Sequence, residues 1–326
     1  MDISTESQHR EEYVIGIDGG GTKTLCVVLD KRKTLLGQGR AGSSNRHSVG
    51  DETARTNLTR AIQDALAAAG VPNEAINAVC IGSAGVDRPA ERTIVNGWLL
   101  ELFPGVPTLI YNDALIALAA GTGGEQYGVV AISGTGMIVY GVDANGQTRR
   151  AGGWGPLFGD KGSGYAIGAA ALTAIAQAVD GLGPPTALEG ALLDYLDLST
   201  PQALIPWAYS DPAWSRIAEL GPLVVECARQ NDPVALAIIE EAAVDLAAAV
   251  EQVVRHLNLL NESIIIVLSG GNLGPGLFSS LVSQHLHTLI PKAQLVRPTV
   301  DPATGAALLA FNHLQKGQHH EGSAPH

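Results

Sequence analysis

The chain has 326 residues, more than one hydrophobic core usually supports, so we expect two domains. Lys and Arg number 20 against 32 Asp and Glu, a formal charge of -12, and no long basic run is present to hold nucleic acid or an anionic membrane. The acidic leader is neither a signal peptide nor an anchor. Gly is abundant, at 39 residues, and charged residues make up only 16%, as in a well-buried α/β enzyme. We therefore expect a soluble α/β protein that binds neither nucleic acid nor membrane.

The three cysteines, Cys26, Cys80 and Cys227, are far apart in the chain and lie among apolar residues. An odd number of widely spaced cysteines in such surroundings is typical of buried thiols and not of a disulfide framework. We therefore expect a protein of the reducing cytoplasm.

The first third of the chain is predicted to be rich in strands joined by crossover helices. Residues 13–30, YVIGIDGGGTKTLCVVLD, contain two apolar runs separated by a glycine turn, which is the pattern of a β-hairpin. Apolar residues then recur at helical intervals in 51–69 and stop at Gly70, while 76–86 and 107–113 have the composition of buried strands.

The second part of the chain begins with the same pattern of strand, glycine turn and strand. A second strand, glycine turn and strand occupy 127–147, about 115 residues after the first. Helices are predicted near 163–180, 187–197 and 234–260, followed by a strand that ends in a third glycine turn, at Gly270 and Gly271. A final helix is predicted with Asp301 as its N-cap and Pro302 as its first residue. Two similar halves suggest a duplicated fold with a ligand in the cleft between them.

The glycine turn after the first strand does not match two familiar phosphate loops. The dinucleotide fingerprint requires a glycine where Thr24 stands, and a helix after the turn. The P-loop, counted from Gly16, reaches Gly21 but finds Thr22 in the position of its lysine. What remains is a hairpin tip that offers backbone N–H groups and a Thr hydroxyl to an anion, with Asp18 able to hold a hydrated divalent cation. A single such turn is more often structural, but three at strand ends favour a shared nucleotide.

Four segments in this order resemble the N-acetylglucosamine kinase and BadF/BadG/BcrA/BcrD-type ATPase family, within the actin-like ATPase and sugar kinase superfamily. They are IGIDGGGTKT, AISGTGM, GGWGPLFGDKGSGY and LSGGNL, and the resemblance covers residues 14–309. It implies two ribonuclease H-like domains with an interdomain cleft for ATP and a sugar. It assigns residues 1–117 and a returning helix, 302–315, to the first domain and residues 118–301 to the second; 316–326 are predicted to be a disordered tail.

The resemblance also implies roles for individual residues. Asp113 matches the catalytic base, although the local sequence alone favours a helix cap. Asp18 is expected to hold Mg²⁺. The expected ATP-binding residues are Gly20, Gly21, Thr22, Lys23, Gly134, Thr135, Gly136, Gly270, Gly271 and Asn272. The expected sugar-binding residues are Ser44, Asn45, Thr135, Gly153, Trp154 and Asp160; a turn at 43–45 and a core position for Trp154 are the structural alternatives.

One position departs from the family pattern, because Lys161 stands where many relatives have an acid. This cation would discourage a sugar with a free ammonium, attract a carboxylate such as a lactyl group, or simply face solvent.

The function implied is an ATP- and Mg²⁺-dependent kinase that phosphorylates the 6-hydroxyl of N-acetylglucosamine or a close amino sugar, such as glucosamine or N-acetylmuramic acid. A homodimer is expected from the kinases that the chain resembles. One alternative is the ATPase activator of a radical dehydratase or reductase, which would hold an iron–sulfur cluster through cysteines that this chain does not place in exposed loops. Another is a sugar-sensing regulator without turnover, for which the chain leaves no room for a DNA-binding helix-turn-helix before the first strand.

Overall fold

A computed structural model describes residues 12–83, 86, 88–211 and 213–321, with side chains described as far as residue 316. The chain divides into two compact units, the first made of Met1–Gln126 with Pro298–His326 and the second of Tyr127–Arg297. The first unit thus continues past the boundary predicted at residue 117, which falls inside one of its helices. Within the described ranges, no helix is long and apolar enough to cross a membrane.

The strands, in chain order, are β1 Tyr13–Gly19, β2 Lys23–Asp30, β3 Leu35–Gly42, β4 Ile76–Ser83, β5 Thr108–Tyr111, β6 Gly128–Ser133, β7 Met137–Val142, β8 Thr148–Gly152, β9 Ile265–Ser269 and β10 Gln294–Val296. The α-helices are α1 Arg46–Val49, α2 Asp51–Ala69, α3 Pro89–Leu102, α4 Asp113–Thr122, α5 Gly164–Val179, α6 Leu188–Leu196, α7 Leu204–Tyr209, α8 Trp214–Ala218, α9 Gly221–Arg229, α10 Pro233–His256, α11 Leu277–Leu289 and α12 Pro302–Glu321. Both predicted hairpins are present, as β1–β2 and β6–β7.

Each unit contains one five-stranded sheet, and the two sheets have the same topology. The order is β3-β2-β1-β4-β5 in the first and β10-β9-β6-β7-β8 in the second. In both, three strands form an antiparallel meander, and two further strands pair in parallel beside the first strand of the meander. The duplication that the sequence suggested is therefore a duplication of the whole sheet.

The central strands are apolar, and helices pack against them: α12 against β1 and β4, and α10 against β6 and β7. In β1, Val14, Ile15 and Ile17 are fully buried, and in β6 Val129 and Val130 are as well. The edge strands β3 and β8, which the sequence did not predict, contain exposed polar residues and lack such apolar runs. Edge strands have fewer buried neighbours, so hydrophobic patterning reveals them poorly.

Helix α12 returns the chain to the first unit. Its N-cap is Asp301, whose carboxylate accepts a hydrogen bond from the backbone N–H of Thr304 at 2.8 Å. A Cβ atom at Gly305 would lie 2.2 Å from the carbonyl oxygen of Ile116, so only glycine allows α12 to approach α4 this closely. The helix continues to Glu321, so residues 316–321 are helical where the sequence predicted a disordered tail. Residues 322–326 of that predicted tail lie outside the described residues.

Candidate functional site

The tip of the β1–β2 hairpin is held in a fixed conformation. The N–H of Gly20 donates to the carbonyl oxygen of Lys23 at 3.0 Å, and the hydroxyl of Ser43 donates to the carbonyl oxygen of Gly20 at 3.1 Å. In a trans peptide the carbonyl and the following N–H point in opposite directions, so this anchor turns the N–H of Gly21 away from Ser43. Gly21, Thr22 and Lys23 are exposed. The tip therefore presents backbone donors and one cation to solvent, which suits an anion.

Three carboxylates of the first unit lie near one another at this end of the sheet. Burial, and then the charges of Asp113 and Asp301, raise the pKa of Asp18 from 3.8 to about 6, while Lys23 acts in the opposite direction. Asp18 lies near the end of β1, Asp113 follows β5, and Asp301 begins α12, so the topology brings together residues that are far apart in sequence. Sequence reasoning assigned Asp301 only a capping role and did not predict that it joins this cluster.

Asp113 is the first residue of α4 and does not cap that helix. The N-cap is its neighbour Asn112, whose side-chain oxygen accepts a hydrogen bond from the backbone N–H of Leu115 at 2.9 Å. The local alternative for Asp113, a purely capping carboxylate, is therefore wrong. Its side chain is half-buried and lies near Asp18.

The segment 43–45 packs against the glycines of the hairpin. The hydroxyl oxygen of Ser44 is buried and has no hydrogen-bond partner among the described residues. A Cβ atom at Gly19 would lie 2.7 Å from that oxygen, so glycine is needed for this close approach. Leaving a buried hydroxyl unpaired costs about 1–3 kcal/mol, which a bound ligand would offset. Asn45 uses its side-chain oxygen to cap α1, at 3.0 Å from the N–H of His47.

The second glycine turn, between β6 and β7, is held from behind by the first turn of α5. The carbonyl oxygen of Gly134 accepts from the N–H of Gly164 at 2.8 Å, and that of Thr135 from the N–H of Tyr165 at 3.2 Å. By the same trans-peptide geometry, the N–H groups of Thr135 and Gly136 point away from α5. This turn therefore repeats the arrangement of the first, with carbonyls anchored and N–H groups directed outwards.

Ser133, which sequence reasoning missed, connects this turn to two other segments. Its fully buried hydroxyl donates to the carbonyl oxygen of Gly162 at 2.6 Å and accepts from the side-chain amide of Asn272 at 3.0 Å. The same amide donates to the carbonyl oxygen of Gly134 at 2.9 Å. Gly270 has a φ of 93°, and a Cβ atom there would lie 2.3 Å from the carbonyl oxygen of Ser133. The amide nitrogen of Asn272 thus braces the second and third glycine turns.

The remaining predicted residues of the second unit lie beside the second glycine turn. Asp160 is buried and has a φ of 37°, which is strained for a residue other than glycine. Its carboxylate accepts from the N–H of Trp154 at 3.2 Å, and its other oxygen would lie 3.1 Å from a Cβ atom at Gly136. Gly153 donates to the carbonyl oxygen of Met137 at 2.7 Å. Trp154 is 67% exposed, so its core alternative is wrong.

Lys161 is directed toward a helix of its own unit. Its ammonium nitrogen lies 3.2 Å from a carboxylate oxygen of Asp245 in α10. The cation that the sequence singled out therefore already has an acidic neighbour, and it is exposed to solvent.

Known proteins resemble this chain over most of its length. Residues 15–310 match the BadF/BadG/BcrA/BcrD ATPase family. The N-acetyl-D-glucosamine kinase of Dictyostelium discoideum is 38% identical over 315 residues, covering 93% of this chain and 98% of that protein. The N-acetylmuramic acid/N-acetylglucosamine kinase of Clostridium acetobutylicum is 35% identical over 301 residues, with 92% and 98% covered. A Chromobacterium violaceum structure assigned as an N-acetylglucosamine kinase has a TM-score of 0.72 at 29% identity, with 91% and 98% covered.

These similarities extend over both units and are not confined to the glycine turns. They confirm the predicted fold class, because the solved relative shares the two-unit α/β architecture along nearly its whole length. The proteins that the chain resembles are carbohydrate kinases. The chain belongs to the BadF/BadG/BcrA/BcrD ATPase family.

Proposed function

We propose that the protein is an ATP-dependent sugar kinase that transfers the γ-phosphate to the 6-hydroxyl of N-acetylglucosamine or a close amino sugar. The observation that carries the proposal is the pair of glycine turns, one in each unit, whose carbonyls are anchored while their N–H groups point outwards. Such donors bind phosphate oxygens without a helix dipole. The similarity to N-acetylglucosamine kinases along nearly the whole chain supports the choice of acceptor.

ATP is assigned to the three glycine turns. The phosphates are assigned to Gly20, Gly21, Thr22, Lys23, Gly134, Thr135 and Gly136. The N–H groups of Gly20 and Gly134 bond within their own turns, so the donors come from the other members of this set. Gly270 and Gly271 are assigned to the adenosine, and Asn272 holds the second turn in place through its amide nitrogen. Backbone donors fixed in advance need no reorganisation when charge develops on the transferred phosphoryl group.

Asp113 is proposed as the general base. A sugar hydroxyl that attacks the γ-phosphate must lose its proton to a positioned acceptor, and a carboxylate suffices. Because Asn112 forms the helix cap, the position of Asp113 is not required for capping. Asp113 also lies close enough to Asp18 for its charge to raise the pKa of the Asp18 carboxyl.

Mg²⁺ is proposed to bind at Asp18. In the described part of the chain no three His, Cys, Asp or Glu side chains already form a complete metal site, so the ion would take most of its ligands from water and phosphate. These residues fit a Mg²⁺ ion. Asp18 lies near Asp113 and Asp301, and a divalent cation would relieve the repulsion among the three carboxylates. When bound, the ion would neutralise phosphate charge.

The acceptor sugar is assigned to short polar groups in both units: Ser44 and Asn45 in the first, and Thr135, Gly153, Trp154 and Asp160 in the second. The buried hydroxyl of Ser44, which has no partner among the described residues, supports this assignment. Asp160 supports it as well, because a buried carboxylate in a strained conformation is typical of a functional position.

The test is to supply ATP, Mg²⁺ and each of N-acetylglucosamine, N-acetylmuramic acid and glucosamine, and to follow ADP release. Turnover that depends on at least one sugar is expected, and its absence with all three would refute the proposal.

No observation favours the alternative of an iron–sulfur activator. Cys26 and Cys80 are fully buried, and burial raises the pKa of both thiols, which disfavours the thiolates that ligate iron.

A regulator that binds sugar without turnover is separated from a kinase by the same assay.

The proposal also includes the cellular compartment and the oligomeric state of the protein. Its three cysteines are free and buried, which suits the cytoplasm, and a homodimer remains a prediction for solution measurement.

A further inference from the structure

We propose that Arg297 is a positioning residue that fixes the third glycine turn, so that its loss weakens binding of the adenosine part of ATP more than binding of the phosphates. The inference rests on the proposed sugar kinase function, which assigns the adenosine to this turn. Arg297 lies outside the four motifs that resemble the family, and the chemistry proposed for the site does not use it.

The third glycine turn has a sequence that permits many backbone conformations. Residues 270–276, GGNLGPG, include four glycines, and glycine loses more conformational freedom on folding than any other residue. Such a segment keeps one shape only where contacts hold it. Ser133 holds its beginning, through the close approach of Gly270 and the hydrogen bond from Asn272. The other end, at Leu273, requires an anchor of its own.

Arg297 supplies this anchor through two hydrogen bonds. Its Nε atom donates to the carbonyl oxygen of Leu273 at 3.0 Å, and one of its terminal nitrogens donates to the hydroxyl of Ser279 in α11. That hydroxyl donates its own proton to the same carbonyl oxygen, at 3.2 Å, and Ser279 is fully buried. The three groups therefore form a closed cycle of hydrogen bonds. Because the guanidinium is charged, its bonds are stronger than those between neutral groups, and they hold the Leu273 carbonyl in one position.

The sheet of the second unit places Arg297 beside this turn. Strands β10, β9 and β6 are neighbours and run parallel. Arg297 follows the last residue of β10, while the third turn follows β9 and the second turn follows β6. All three therefore lie at the carboxyl end of the sheet, where ligands of open α/β sheets bind. The anchor belongs to the same edge of the sheet as the proposed nucleotide site.

The two turns assigned to the phosphates have other anchors. The first is held by the hydroxyl of Ser43, and the second by the backbone N–H groups of Gly164 and Tyr165. Removing the guanidinium of Arg297 leaves these bonds in place, but it deprives Leu273 and Ser279 of their charged donor. The third turn should then lose its single shape, while the donors assigned to the phosphates keep theirs.

Tripolyphosphate separates the two parts of the nucleotide, because it carries the chain of phosphates without the adenosine. The experiment measures, with Mg²⁺, the Kd of ATP and the Kd of tripolyphosphate for the wild type and for Arg297→Met, which removes the guanidinium and keeps an apolar stem. We expect the Kd of ATP to rise by about 10-fold or more, since two bonds from a charged donor are lost, and the Kd of tripolyphosphate to change by less than about 3-fold. In turnover, the KM for ATP should rise, while kcat at saturating ATP and the KM for the sugar change little.

Three further variants make the test specific. Arg297→Lys keeps the charge but cannot donate from two separate nitrogens, so it should lose less than Arg297→Met. Ser279→Ala removes the hydroxyl of the cycle and should also weaken ATP more than tripolyphosphate, which decides the inference if Arg297→Met does not fold in thermal unfolding. Arg255→Met is the matched control, because this arginine of α10 pairs with Glu251 on the same helix, and it should leave both Kd values unchanged.

Equal losses for ATP and tripolyphosphate would overturn the inference and show that Arg297 only stabilises the second unit. A folded Arg297→Met variant that binds ATP as tightly as the wild type would overturn it as well. A wild-type protein that binds ATP but not tripolyphosphate would contradict the assignment of the phosphates, and with it the inference. Absence of sugar-dependent turnover by the wild type would instead refute the proposed function, whatever the two Kd values.

Discussion

The side-chain amide of Asn272 donates a hydrogen bond to the hydroxyl of Ser133 at 3.0 Å, across 139 positions of the chain. The hydroxyl can accept this bond because it donates its own proton to the carbonyl oxygen of Gly162. Since the amide also reaches the carbonyl of Gly134, the second glycine turn, the third glycine turn and the loop before α5 are fastened together. A change at Asn272 should therefore act on the shape of the second turn.

Asn272→Asp tests this brace. A carboxylate has almost the same shape but cannot donate, and it would face the Gly134 carbonyl oxygen. We expect the KM for ATP to rise about 10-fold or more, since two hydrogen bonds are lost and a repulsion is added. The measurement is the KM for ATP at saturating sugar. Asn261→Asp, at an exposed position of the same unit, is the control; if it raised the KM equally, net charge and not the brace would be the cause.

Asp18→Asn should make the ligand-free protein more stable at neutral pH. Burial, followed by Asp113 and Asp301, raises the pKa of Asp18 from 3.8 to about 6. A raised pKa means that the folded state binds the proton more tightly, so this group favours folding below about pH 4, and the contribution is lost as the pH rises through 6. The amide avoids the cost of burying the ionised form. We expect a gain of about 1–3 kcal/mol in the free energy of unfolding at pH 7.5, and much less at pH 4.5.

Urea unfolding of wild type and variant at the two pH values, without ATP or Mg²⁺, measures this gain. Asp64→Asn, on the exposed side of α2, serves as control and should show no pH-dependent gain. A gain at pH 7.5 no larger than that at pH 4.5 would show that the environment of Asp18 does not oppose its ionisation.

Asp113→Asn should retain ATP binding and lose nearly all phosphoryl transfer, by about 10²-fold or more, because the amide cannot accept the proton of the attacking hydroxyl. Single-turnover kinetics with a parallel ATP-binding assay measures the two properties separately. The paired variant is Asn112→Ala, which removes the helix cap and should cost about 1 kcal/mol of stability while leaving most transfer intact. A fully active Asp113→Asn enzyme would refute the assigned base.

Gly305→Ala should destabilise the first unit. The new Cβ atom would lie 2.2 Å from the carbonyl oxygen of Ile116 and 2.6 Å from the backbone nitrogen of Ala120, so α12 must move away from α4. We expect a loss of about 1–3 kcal/mol in denaturant unfolding. Gly97→Ala, in the interior of α3, meets no described atom within 4 Å and should stabilise the protein by up to about 1 kcal/mol. Equal effects of the two changes would contradict this packing.

The sequence predicted those features that depend on local pattern. The hairpin of β1 and β2 follows from two apolar runs around a glycine turn, and the start of α12 follows from Asp301 and Pro302. Local pattern does not show which of two adjacent residues with similar side chains forms a helix cap. Asn112 and Asp113 both favour an N-cap, and only the structure shows that Asn112 takes that role.

Features that depend on distant residues were not predictable from the sequence. Asn272 resembles a nucleotide ligand in its motif, but the positions of Ser133 and Gly134 show that its amide nitrogen is used for bracing. Lys161 departs from the family pattern, but the sequence does not show that its ammonium group lies beside Asp245 of a later helix. Arg297 has no motif of its own, and its contact with Leu273 follows from the pairing of β9 with β10.

Phosphorus NMR of the products formed from ATP and N-acetylglucosamine decides whether the chain phosphorylates a sugar and at which hydroxyl. We expect one sugar phosphate, with the phosphate on the 6-hydroxyl, formed in equal amount to ADP by the wild-type protein and almost absent with Asp113→Asn. ADP release that does not depend on the sugar, or a phosphate on the anomeric hydroxyl, would contradict the proposed function.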